Sequence, residues 1–388
     1  MDAGKALELE DIPTRLLVIG GSYVGLELGL VYARLGSQVT LVEMTDRLLP
    51  NVDADLVQPL ARRVQDLFAG VYLKTTVTAL EQKKAKVRVA FVGQAALSNT
   101  TYDRVLVAIG RQPNTDHLGL EKAGVDIDAQ GYVVVDKQRR TTNARLLAIG
   151  DVASGMLLAH KAMHEGKVAA EVIAGQRVAF DASAIPAVVY TDPQIAWCGL
   201  TEHAAAIQHR PVKVGRFPWK ASGRAVSMGA TESCTKIVLD PASHGVLGMG
   251  VVGQHAEALI AEGVLAVEMG ALAEDVALTI HPHPTLSETV GEAAAVSCGG
   301  SSPLYGLGEN FLLAFLCESH LAPLPFHQSF RSEFVKRCLQ GIFPSLIVAS
   351  YMGLQWPKMH GQRMGFIGPK EMQQISLHVL FGIHRMLL

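Results

Sequence analysis

The sequence predicts an α/β fold, and three observations predict it. Residues 15–43 read as strand, tight glycine turn, helix and strand. Apolar strand runs recur at 71–79, 87–92 and 104–109. A β-rich stretch of antiparallel character, 185–250, is followed by two helical patterns. Leu16-Leu17-Val18-Ile19 is a continuous apolar run, as a strand covered on both faces requires. It meets Gly20-Gly21-Ser22-Tyr23-Val24-Gly25, after which Leu26, Leu30, Ala33 and Leu35 keep helical spacing until Gly36. Gln38 to Glu43 is the next strand, so the unit spans about 30 residues, the size of a right-handed crossover.

From Pro113 a polar, turn-rich stretch leads to apolar runs at 131–135 and 146–149, the second a strand ending in Gly150-Asp151. Leu158 to Ala174 then reads as a helix closed by Gly175, and further helices are expected over 256–267 and 286–295. Residues 301–388 differ from the rest. They hold only 11 charged side chains but 8 of the 12 phenylalanines, and prolines at 303, 323, 325, 344, 357 and 369 interrupt every periodic run.

Composition narrows the class of function. With 34 basic and 36 acidic residues the chain carries no electrostatic footprint for nucleic acid. Charged residues make up 18%, below the roughly 25% usual in soluble domains, yet a membrane reading fails. The most apolar stretch, 16–36, is interrupted by Ser22, Glu27 and Arg34, short of the ~20 apolar residues a spanning helix needs. Residues 1–13 carry four acidic side chains and read as a linker rather than a secretory signal. The five cysteines (198, 234, 298, 317, 338) lie at least 19 residues apart, which excludes a disulfide scaffold and a Cys-x-x-Cys pair. A cytoplasmic chain with reduced thiols is expected.

Three segments carry chemistry. The turn at 20–25 resembles G-x-G-x-x-G with Ser22 in the middle position, followed 18 residues after Gly25 by Glu43 at the end of the next strand. In such Rossmann-like units the glycines make the turn, admit a pyrophosphate and let helix and sheet approach, while the acidic residue accepts ribose hydroxyls and repels a 2′-phosphate. NAD is therefore expected over NADP; an ordinary glycine turn with a surface Glu is the plain alternative. Asp151, at a strand end before the helix start Leu158-Ala159-His160, suits a sugar or ribityl hydroxyl, or is simply a turn residue. In His281-Pro282-His283-Pro284-Thr285-Leu286-Ser287-Glu288, either His-Pro bond could be cis. Thr285 can cap the helix that carries Glu288. Glu288 can reach back to one ring nitrogen of His283 and make it a general acid–base; a structural His–Glu bond is the alternative. Zinc on His281 and His283 lacks a third ligand at suitable spacing, so no metal is expected.

These segments together resemble the pyridine nucleotide–disulfide oxidoreductase family, and within it the dihydrolipoyl dehydrogenases. Residues 20–43 are similar to its nicotinamide-binding segment, 105–114 (VLVAIGRQPN) to the strand and turn returning to the flavin domain, and 148–166 to the second flavin motif. Residues 185–202, 217–224 and 280–288 resemble the dimerisation domain, so the likeness covers about 5–296. It implies a Rossmann-like NAD-binding domain over 14–112, the second half of an FAD-binding domain over 113–182 and an α+β dimerisation domain over 183–300. It also implies that Gly20, Gly21, Ser22, Tyr23, Val24, Gly25, Leu26, Glu27, Glu43, Val77 and Gly110 contact NAD, with Glu27 between nicotinamide and flavin. Asp151, Leu157, Leu158, Ala159 and His160 would contact FAD. His283, paired with Glu288, would be the acid–base of the partner subunit's active site.

The implied activity is NAD-dependent oxidation of protein-bound dihydrolipoamide through FAD. The implied partners are a second copy of the chain and the lipoyl domain of the E2 component of a 2-oxo acid dehydrogenase complex. Two departures stand out. The family's leading flavin-binding segment, with its own G-x-G-x-x-G turn and Cys-x4-Cys redox pair, has no counterpart here, and 301–388 match nothing in the family pattern. The expectation is a truncated form with little activity alone and a frameshifted or foreign tail, a natural C-terminal extension being the rival. The alternatives are a non-catalytic NAD-binding, dimerising remnant and a relative of glutathione or mercuric reductase, which Glu43 disfavours.

Overall fold

The computed structural model describes residues 1–93, 100–153 and 155–299; the expectations for 301–388 fall outside the described residues. The first sheet has strand order β3-β2-β1-β7 and is parallel throughout. It is built from β1 (Arg15–Ile19), β2 (Gln38–Val42), β3 (Gly70–Tyr72) and β7 (Arg104–Val107). The helix α2 (Tyr23–Arg34) follows β1, and α3 (Ala54–Leu67) follows β2. The chain leaves β1 to one side through β2 and β3, then returns to the other side as β7. The C-terminal end of β1 is thus a topological switch point, the place where open α/β sheets bind ligands. Between β3 and β7 an antiparallel sheet, β4 (Thr75–Lys83), β5 (Lys86–Gly93) and β6 (Thr101–Tyr102), closes over Leu17, Val42 and Val105.

Residues 1–13 are more than the expected linker. The helix α1 (Ala3–Leu7) buries Ala6 in the core of the parallel sheet, where the Tyr32 hydroxyl donates to the Ala6 carbonyl (2.8 Å). The Met1 ammonium donates to Val105 O and Val107 N–H to Met1 O, extending the edge of β7.

The expected strand at 146–149 does not form among the described residues. Only isolated bridges occur, Arg140 with Leu147 and Ile127 with Val133. Strand pairing needs a neighbour that hydrogen-bonds along its length, and the described residues supply none there, leaving Leu146 and Ile149 exposed. A 3-10 turn, Gly150–Ala153, follows, and α4 (Ala159–Ile173) begins after Leu158.

The second large sheet is antiparallel with order β10-β11-β12-β9-β8, from β8 (Ala187–Val189), β9 (Gln194–Gly199), β10 (Lys213–Pro218), β11 (Cys234–Leu239) and β12 (Val246–Gly253). Short helices α5 (Glu202–Ile207) and α6 (Gly223–Ser227) join its strands, and α7 (Ala256–Glu268), α8 (Ala273–Leu278) and α9 (Glu288–Ser297) follow it. Its main core holds Phe217, Trp219, Ile237, Met249, Ile260 and Val290. Val189, Ile195 and Val252 instead pack with Leu56, Leu60 and Val64 of α3 in the first core. The approach is close: a Cβ on Gly250 would stand 2.6 Å from Leu56 Cδ1.

Candidate functional site

The turn after β1 is shaped by backbone that only glycine allows. Gly20 has φ +109°, and a Cβ there would lie 2.3 Å from the Ala108 carbonyl oxygen at the end of β7. A Cβ on Gly25 would lie 2.0 Å from Gly20 O, so the glycine lets α2 press against the turn. Ser22, which interrupts the glycine pattern, is the N-cap of α2 with φ −86°, a conformation open to any residue and a position that favours serine. Its hydroxyl makes no cap bond. The first N–H groups of α2 have no intrahelical acceptor and, with the helix dipole, form an anion cradle.

Glu43 closes this cradle. Its carboxylate is buried and accepts Gly21 N–H (2.7 Å) on one oxygen and Thr45 N–H (2.8 Å) on the other. The acidic residue expected to meet the ribose thus stands beside the turn, held by two backbone donors. Leu26 is buried under the helix.

A groove of about 570 Å³ opens where β1 and β7 end. Its lining includes Ser22, Tyr23, Val24, Gly110, Asp151 and Leu157. Residues expected at NAD and residues expected at FAD therefore face one space. Asp151 is exposed and accepts from Arg111, which also lines the groove (3.1 Å). Gly150, just before it, is held from behind by a group the sequence reasoning missed. Glu165 of α4, 0% exposed, accepts Gly150 N–H (2.7 Å) on one oxygen, and Arg139 (2.7 Å) and Lys161 (2.8 Å) on the other. A Glu four residues after a Lys inside an apolar helix face was the legible signal.

Other expected residues lie elsewhere. Glu27 accepts the Tyr190 N–H (2.7 Å), and burial pushes its carboxyl above the usual range, the hydrogen bond opposing. Val77 sits on β4, within the small antiparallel sheet, and packs on the core beneath it. His160 bonds the Pro186 carbonyl through Nε2 (2.7 Å); Leu158 is the N-cap of α4 and Ala159 its first residue.

The His–Glu pair forms as the spacing anticipates. His283 Nδ1 lies 2.7 Å from Glu288 Oε1, and Glu288 Oε2 accepts Thr285 N–H (2.7 Å). Against expectation, Thr285 does not cap the helix. Its hydroxyl donates to Pro282 O, and α9 starts at Glu288 after Ser287. The capping direction is reversed because a carboxylate in the first turn reaches back to an upstream N–H, as the second half of a capping box does. The His283-Pro284 peptide is cis. With Nδ1–H given to the carboxylate, the neutral ring keeps its lone pair at Nε2, on a side chain 73% exposed. His281 Nε2 pairs with Glu262 of α7 (2.8 Å).

A second unanticipated cluster ties the parallel sheet to the antiparallel one. Lys236 of β11, 1% exposed, places Nζ 2.6 Å from Asp53, 2.7 Å from Asp55 and 2.8 Å from Glu202; Arg216 pairs with Asp55 (2.9 Å) and also with Glu202. The three carboxylates could hold a cation by geometry, but the ammonium already occupies their centre. Burial works against charge on Asp55 and Lys236 alike. The mutual hydrogen bonds outweigh it, lowering the Asp55 carboxyl below its ordinary range and raising the Lys236 ammonium above its own.

A nucleotide cradle at the switch point of a parallel sheet, joined to an antiparallel module bearing a His–Glu pair, defines a dinucleotide-linked oxidoreductase class, and comparison narrows it. The sequence profile for pyridine nucleotide-disulphide oxidoreductases matches residues 1–166, and that for the dimerisation domain of the same family matches 185–294. The chain belongs to the pyridine nucleotide-disulphide oxidoreductase family. It is 46% identical to the dihydrolipoyl dehydrogenase of Vibrio parahaemolyticus over 304 residues (78% of this chain, 64% of the relative). It is 47% identical to that of Thermus scotoductus over 298 residues (76% and 64%). Among solved structures it resembles LpdA from Mycobacterium tuberculosis (TM-score 0.68, 27% identity, 74% of this chain, 62% of that one). It also resembles the HOCl-induced flavoprotein disulfide reductase RclA from Escherichia coli (TM-score 0.69, 26% identity, 76% and 68%). The chain spans a little under two thirds of the length of the curated relatives it matches. Among the described residues no helix is long and apolar enough to cross a membrane.

Proposed function

We propose that the chain carries the NAD-binding part, the second flavin-binding segment and the dimerisation part of a cytoplasmic dihydrolipoyl dehydrogenase. In this reading it works as a homodimer with NAD and FAD on the lipoyl domain of a 2-oxo acid dehydrogenase E2 component. The groove that gathers Ser22, Tyr23, Val24 and Gly110 with Asp151 and Leu157 carries the reading.

The residues fit NAD. The Gly20–Gly25 cradle is one that a Cβ would fill, the α2 N-terminus favours a pyrophosphate, and Glu43 offers lone pairs to a ribose while opposing a 2′-phosphate. For FAD the described residues supply Asp151, Leu157, Leu158, Ala159 and His160. When bound, the two cofactors supply the electron acceptors. The chain's own contribution to the chemistry is a base: His283 Nε2 accepts the proton of a dihydrolipoamide thiol, and Glu288 steadies the charged ring.

The cysteines favour a second reading, a non-catalytic NAD-binding dimer. Burial pushes the Cys198 thiol up to about 12 and Cys234 up to about 11, so neither supplies a thiolate at neutral pH. Titration calorimetry with NAD and NADP, an absorption spectrum after adding FAD, and an NADH–lipoamide assay decide between the readings. Both expect NAD to bind at least ~10-fold more tightly than NADP. A flavin band with turnover that falls about 10²–10⁴-fold in His283→Gln fits the enzyme. NAD binding without a flavin band fits the remnant, and NADP preference overturns both.

A further inference from the structure

His283 is not the only imidazole–carboxylate pair in its segment. Two residues upstream, His281 turns inward while His283 faces solvent. Its side chain is 11% exposed and its Nε2 lies 2.8 Å from Glu262 Oε1 in the middle of α7. The same ring abuts α9: a Cβ on Gly291 would stand 3.0 Å from both Cε1 and Nδ1. Gly291 is one helical turn beyond Glu288, so the ring touches the helix that carries the partner of His283. Pro282 alone separates the two histidines, and its fixed φ passes the position of one on to the other.

We infer that His281 and Glu262 form a positioning pair that seats the 281–284 segment on α7 and α9 so that His283 Nδ1 meets Glu288. The inference rests on the assignment of His283 as the acid–base of the proposed reaction. Glu288 alone cannot do this work. His283 is exposed, and the net gain from one hydrogen bond in solvent is comparable to the side-chain entropy it must overcome. Anchoring the backbone two residues away removes most of the alternatives before that bond forms, the logic by which carboxylate-held histidines are oriented elsewhere. The groups facing this segment among the described residues are Glu262 from α7, Glu288 and the Gly291 backbone from α9, and the Thr285 and Ser287 hydroxyls.

The test reads the His283 ring itself and needs no turnover. In the full chain with 15N-labelled histidine, the neutral His283 ring is expected as a single Nδ1–H tautomer. Glu262→Ala is expected to lose that signature, giving the mixed tautomers of a free imidazole, while Glu262→Gln, which keeps an acceptor, retains it. His281→Asn, smaller and unable to reach α7, gives a second route to the same loss if Glu262→Ala folds poorly. A variant with a lowered Tm and an unchanged His283 tautomer would show a merely structural pair and overturn the inference. Failure of the catalytic reading registers elsewhere, as lipoamide turnover indifferent to His283→Gln.

Discussion

Ser22 and Gly20 occupy neighbouring places in one motif, and the structure gives them unequal weight. The sequence pattern makes the serine look like the defect, because the middle glycine admits a phosphate. In the folded turn Ser22 has ordinary dihedrals at a helix N-cap, whereas Gly20 combines positive φ with a backbone oxygen where its Cβ would be. Ser22→Gly is therefore expected to leave stability within a few tenths of a kcal/mol and NAD affinity unchanged or higher. Gly20→Ala is expected to cost about 1–3 kcal/mol from backbone strain alone and about tenfold or more in NAD affinity. Urea unfolding and NAD titration on the two variants check this, and a tolerant Gly20→Ala would mean that the turn does not hold the cofactor. Gly20, Gly25, Glu43, His283 and Glu288 were legible because each is fixed by local spacing. Glu165 left only its spacing from Lys161 as a signal, and Glu262 and Lys236 left none: their partners His281 and Asp55 lie 19 and 181 residues away, beyond any spacing rule.

At the level of elements, those long-range partners decide what was missed. The helix α3 carries apolar residues at 56, 57, 60 and 64, a helical spacing, but Pro59 inside it masks the pattern. Its start is where the charge cluster joins the two sheets, since Asp53 and Asp55 meet Lys236, Arg216 and Glu202 there. Removing the ammonium leaves the buried Asp53 carboxylate without its cation, and Asp55 and Glu202 with Arg216 alone, so Lys236→Met is expected to destabilise by about 3–5 kcal/mol in urea unfolding. The pH dependence has a definite sign. Asp55 titrates below its unfolded value of 3.8, so its contribution is full above that value and is lost as pH falls through the lower, folded one. Lys236 titrates above its unfolded value of 10.5, so its share is full below 10.5 and is lost only as pH rises through the higher, folded value. The difference in Tm between wild type and Asp55→Asn should thus be constant from neutral pH to about pH 5 and shrink below pH 4. A gap that persists into acid would mean that the cluster does not couple the sheets through this charge. The run at 146–149, which forms no strand among the described residues, makes the complementary point: it is apolar as a strand requires, but pairing depends on neighbours that no local pattern reveals.

For the whole molecule, the proposed homodimer would account for apolar side chains that stand exposed in the single chain. Leu278 and Ile280, 81% and 95% exposed, stand immediately before His281 and His283. Two large apolar side chains this exposed, two positions apart, are what a docking partner would cover. In the proposed homodimer a second copy covers them, and assembly then bears on the same segment that presents the acid–base. A charge placed there should oppose association without touching either core, since neither side chain belongs to one. Ile280→Glu is therefore expected to weaken dimerisation by about tenfold or more in sedimentation velocity, with the Tm of the monomer and the NAD affinity unchanged. NAD binding is the informative control, because the nucleotide cradle lies between β1 and α2 and uses no residue of the 278–288 segment. A chain that sediments as a monomer before any substitution would separate the dimerisation fold from dimerisation itself. The exposed Leu278–Ile280 surface would then need a different partner.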